Sequence, residues 1–141
     1  QFAESVHLST LKAFLLGGPL GFSCDLNAVS SATLDALAAF VADYKRERAF
    51  WQTAVCRILA DTESMLILQY SDMACSRVRI VAIAGKIRQN AVCVYPPVDA
   101  AAQYLLEDRT VSGAELRTTG LRIPLSGNYT AAITMLEKCD A

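Results

Sequence analysis

The hydrophobic pattern of this chain changes period once, at Trp51, and that change limits what the chain can fold into. Before it, from Ala32 to about Phe50, Leu34, Leu37, Ala38, Val41, Tyr44, Lys45 and Arg48 recur at spacings of three and four. That spacing places them on one face of a helix. Ser30 or Ser31 suits its N-cap, because a serine oxygen accepts from the orphan N–H groups of the first turn. Phe40 and Trp51 lie off this stripe, so the helix is expected to pack on more than one side. An earlier helix is expected over residues 5–17, where Leu8, Leu11, Phe14 and Leu15 keep helical spacing and Gly17-Gly18-Pro19 supplies a stop. The run Lys45-Arg46-Glu47-Arg48 sits in the last turns of the second helix. It reads as a solvated or capping face, where cations meet the negative end of the helix dipole.

After Trp51 the apolar residues alternate. Val55–Leu59, Met65–Tyr70, Arg77–Ala84, Ala91–Tyr95 and Gln103–Glu107 read as strands, separated by polar turns and by Pro96-Pro97. Within 77–84, Val78, Ile80 and Ala82 share one face, and Arg79, Val81 and Ile83 share the other. Both sides of that strand are therefore expected to be partly covered. Asp108-Arg109 leads into a closing segment punctuated by Ser112-Gly113 and Gly120, with Ala114–Leu116 as a single helical turn. Leu121, Ile123 and Leu125 alternate with Arg122 and Pro124, and the proline marks an edge strand because it cannot donate to a ladder. Ser126-Gly127-Asn128 is expected to reverse the chain into Tyr129–Leu136, closing it on a hairpin. Strands at intervals of roughly ten residues point to an antiparallel sandwich or barrel. The expected fold is α+β: N-terminal helices over residues 1–52, then an antiparallel β-sandwich over 53–141.

Composition removes several classes of function. The chain has 141 residues, 53% of them hydrophobic, and a formal net charge of −1. It carries no long-range field for nucleic acid or an anionic membrane. No apolar run approaches the about 20 residues that span a bilayer, and no secretory leader is visible. A cytoplasmic location is expected. Gln1 in place of an initiator Met suggests a fragment or a processed chain. The five cysteines, Cys24, Cys56, Cys75, Cys93 and Cys139, are scattered and form no Cys-x-x-Cys pair, and His7 is the one histidine. Reduced, mostly buried thiols are expected rather than a metal site, and no cofactor motif is present. Gly17-Gly18-Pro19-Leu20-Gly21 lacks the lysine of a phosphate loop. Trp51, Tyr70, Tyr95, Tyr104 and Tyr129 are candidates for a sugar-stacking platform, although aromatics in a small sandwich usually pack the core.

Three segments carry a family resemblance: Gly21-Phe-Ser-Cys-Asp25-Leu before the capped helix, Tyr44-Lys45-x-x-Arg48 at its end, and Ser112-Gly113-Ala-Glu-Leu116 followed by Gly120-Leu121 and Pro124-Leu125. In order and spacing they resemble the C-terminal part of an α-galactosidase of glycoside hydrolase family 36, from about Leu8 to Leu136. Pro96-Pro97-Val98-Asp99-Ala100 stands where that family has a Gly-Leu-Asp-Pro turn, and keeps its aspartate. The resemblance implies the last helices of a catalytic TIM barrel followed by a C-terminal β domain. It implies an upstream barrel as partner, a structural or oligomerisation role, a homo-oligomer, and carbohydrate as a possible ligand. Retaining glycosidases use two carboxyl groups about 5 Å apart. In the family both are aspartates upstream of this region. None of Asp25, Asp35, Asp43, Asp61, Asp72, Asp99, Asp108 or Asp140 matches either, so no catalytic, cofactor-binding or metal-binding residue is assigned. Asp25 reads as a connector residue capping backbone amides, and Glu115 as part of a surface turn. A stand-alone carbohydrate-binding sandwich and a non-enzymatic interaction domain are the other readings. Helices severed from a barrel would make the isolated chain self-associate.

Overall fold

The computed structural model describes residues 25–140. The helix expected over 5–17, its glycine stop, His7 and Cys24 lie outside the described residues. Asp25 caps a single 3-10 turn, Leu26–Ala28, by accepting from the Asn27 amide. Helix α1 follows as Ser31–Thr53, with the Ser30 side chain accepting from the Thr33 amide. The chain leaves the helix at Ala54 and enters β1 (Val55–Thr62) at once. Next come β2 (Met65–Ser71), β3 (Arg77–Ala84), β4 (Ala91–Val94), β5 (Gln103–Leu106), β6 (Arg109–Ser112), the short helix α2 (Gly113–Thr118), β7 (Leu121–Pro124) and β8 (Ala131–Lys138). The result is the expected α+β fold, a helix followed by an antiparallel β-sandwich.

Six strands form one antiparallel sheet in the order β1-β2-β3-β8-β5-β6, and β4 pairs with β7 in a second, two-stranded sheet. The pleat sends alternate side chains to opposite faces. On the inner face of the large sheet, Met65, Ile67, Val78, Ile80, Ala82 and Leu136 pack against Val94, Leu116, Leu121 and Ile123 from the small sheet and α2. On the outer face, Val81 and Ile83 meet Phe40 and Trp51 of α1, with Phe50, Leu66, Tyr70 and Ala131 around them. Strand β3 is therefore covered on both sides, as the apolar character of both its faces requires.

One expectation is corrected. The closing segment is not a hairpin: β7 pairs with β4, Val92 opposite Ile123, while β8 lies between β3 and β5. The stretch between them crosses from the small sheet to the large one. It is held by Leu125 N–H to the Asn90 carbonyl (2.8 Å) and Tyr129 N–H to the Gly85 carbonyl (2.9 Å). The Asn128 side chain also accepts from the Ile87 amide at 2.9 Å. Alternation reveals that a strand has a buried face, but not which sheet it joins. The helix meets the sheet with side chains that lie off its leucine stripe. Its buried residues are Phe40, Tyr44 and Trp51, while Leu34, Leu37 and Val41 are half-buried and Ala38, Lys45 and Arg48 exposed. At about 100° per residue, Phe40, Tyr44, Glu47 and Trp51 span an arc of about 60°. The aromatics offer more area than the leucines to a flat apolar sheet, so they take the contact. Strand β6 also goes beyond the expectation, because Glu107-Asp108 makes a tight turn without glycine, Glu107 adopting φ 56°.

Candidate functional site

Alternation along β3 that turns Val81 and Ile83 toward α1 also turns Arg79 there. The residue is 2% exposed. Its Nη2 donates to Glu137 Oε1 on β8 at 2.6 Å and to Glu47 Oε1 on α1 at 3.3 Å. Nη1 donates to the Val78 carbonyl at 3.2 Å, and the Phe50 ring centre lies 5.6 Å from the guanidinium carbon. A buried cation of this kind persists because two carboxylates and an aromatic face replace its hydration. Arg77 approaches the other Glu137 oxygen at 3.6 Å. The guanidinium remains incompletely satisfied: Nε is buried and has no hydrogen-bond partner. Above it opens a cleft of about 400 Å³ between α1 and the outer face of β8, lined by Asp43, Glu47, Trp51, Arg79, Ile133 and Met135 among others. Asp43 at its rim pairs with Arg46. The carboxylates of Glu47 and Glu137 are both engaged by Arg79, an arrangement that locks helix to sheet.

A second polar cluster lies under the loop between β4 and β5. The Tyr104 hydroxyl donates to the Cys75 carbonyl (2.8 Å) and accepts from the Asp99 amide (3.1 Å). The Gln69 side-chain nitrogen donates to the Pro97 carbonyl at 3.3 Å. Asp99 pairs with Lys138 at 2.8 Å. That contact holds the Asp99 carboxyl below its ordinary range and raises the Lys138 ammonium. Gly113 closes the cluster. Its N–H donates to the Ala102 carbonyl, while Ser112 Oγ caps α2 by accepting from Glu115 N–H at 3.0 Å. The Ser-Gly-x-x-Leu motif is thereby explained locally as cap, close backbone approach and buried Leu116.

The other residues considered from sequence are scattered. Asp25 caps its turn, and Asp72 accepts from the Arg77 amide. Among the aromatics, Trp51 and Tyr70 meet edge to face at 5.1 Å beneath α1, Tyr104 is buried in the main core, and Tyr95 and Tyr129 are exposed on separate loops. They do not form one stacking platform. Cys56, Cys93 and Cys139 are exposed and Cys75 half-buried, all four free. The expectation of mostly buried thiols is therefore corrected: Cys93 sits on the exposed side of the narrow β4–β7 pair, and Cys139 follows the last strand. Among the described residues no group of three His, Cys, Asp or Glu side chains could hold a metal, and no helix is long and apolar enough to cross a membrane. Glu47 and Arg79 were not singled out as a pair from the sequence. The available signal was an arginine sharing a strand face with Val81 and Ile83.

Burial, and then the neighbouring Cys56 thiol, push the Tyr70 phenol up to about 12. An unfolded tyrosine titrates near about 10. As pH rises through that interval the unfolded chain releases a proton that the folded chain keeps. This contribution to stability is fully present below pH about 10 and lost as pH rises toward about 12. Tyr70→Phe is expected to flatten the fall of unfolding free energy across that window. An unchanged slope in chemical denaturation would assign the fall to other groups.

No family model and no curated relative matches this sequence. Solved structures do. The α-galactosidase AgaA of family 36 from Geobacillus stearothermophilus matches at TM-score 0.85 and 17% identity, over 95% of this chain and 20% of that one. An α-galactosidase from Lactobacillus brevis matches at 0.85 and 17%, over 96% and 20%. AgaB from Geobacillus stearothermophilus matches at 0.82 and 18%, over 95% and 20%. The likeness is one of fold, and this chain spans a fifth of the length of the chains it matches.

Proposed function

We propose that this chain acts as the C-terminal module of an α-galactosidase-like glycoside hydrolase of family 36, with residues 1–52 closing a catalytic barrel and 53–141 forming the β domain that braces it. The observation that carries the reading is the fold match across 95% of this chain to one-fifth of the family-36 enzymes. The two-sided helix supports it. Phe40 and Trp51 are occupied by the sheet, whereas the Leu34, Leu37 and Val41 stripe belongs to neither described core cluster. A helix that packs a sheet on one side and a barrel on the other needs such a second stripe. On this reading the hydrolysed substrates are terminal α-galactosides, the catalytic aspartates belong to the barrel, and assembly into homo-oligomers builds on the complete protein.

The expected result is that pure 1–141 does not turn over an aryl α-galactoside, while the polypeptide that carries a barrel ahead of residue 1 does. Turnover by 1–141 alone would reveal a carboxyl pair within this chain. A barrel-bearing protein inert toward α-galactosides but active on another glycoside would move the proposal to a different substrate.

A further inference from the structure

We draw no further inference here: the strongest candidate, the cleft of about 400 Å³ between α1 and β8 with the exposed Ile133 and Met135 along one wall, carries nothing because nothing in the structure shows what covers it.

Discussion

Gly113→Ala is expected to cost about 4 kcal/mol of folding stability, at the upper end of single-substitution effects. A Cβ built on Gly113 falls 1.8 Å from the Asp99 carbonyl oxygen and 2.8 Å from its carbon. Both are backbone atoms, so no side-chain rotation relieves the overlap. The Asp99 segment cannot easily retreat. Its amide is held by the Tyr104 hydroxyl, its carboxylate by Lys138 and the Ala101 amide, and the Ala102 carbonyl receives the Gly113 N–H. Moving the loop breaks these contacts and lifts Val98 off the core, where it is 5% exposed. Urea denaturation should show the midpoint falling with little change in slope. Gly85→Ala is the control, because its added Cβ would meet nothing closer than 3.5 Å. Comparable losses for the two variants would show that the close approach at Gly113 is not what holds the loop.

The Arg79 site carries the second large effect, and its sign pattern is the test. Removing both acceptors, Glu47→Ala with Glu137→Ala, leaves a guanidinium buried at 2% exposure without a counter-charge. Breaking a buried pair from one side costs about 3–5 kcal/mol. Both carboxylates are partly solvated, at 32% and 42% side-chain exposure, so the lower figure of about 3 kcal/mol is expected. Arg79→Met instead removes the charge together with its desolvation and fills similar space beside Phe50, at an expected cost of about 1 kcal/mol. Urea denaturation of the two variants ranks them. A methionine variant less stable than the double alanine would mean that the ion pairs contribute net stability rather than only tolerating the buried charge.

Much of this fold is legible along the chain. The stretches with period-two alternation became β1 to β5, β7 and β8, because an antiparallel strand with one buried face writes its geometry into every second residue. Ser30, one of the two serines expected at the cap, announced the start of α1, because capping is a local bond between a side chain and amides two or three residues on. The motif around Ser112-Gly113 was legible as a family likeness. Its physical content, a glycine pressed against the Asp99 carbonyl, depends on a loop fourteen residues earlier and became visible only in three dimensions.

What lay outside local reach was partner choice. Leu121, Ile123 and Leu125 have the same alternation whether their strand turns back onto β8 or crosses to β4, since the pattern encodes a buried face and not its neighbour. Phe40 and Trp51 lie off the leucine stripe, yet they make the sheet contact, because a flat apolar sheet face rewards aromatic area over helical regularity. Arg79 is the sharpest case: in sequence it is one charge within a strand, and in the fold it becomes the pin between helix and sheet, with carboxylates arriving from 32 residues before it and 58 after. Element type, strand ends and caps were set by interactions within a few residues, so the amino-acid order determined them. The pairing of strands, the working face of the helix and the burial of Arg79 were decided by long-range packing, where many distant groups must be satisfied together.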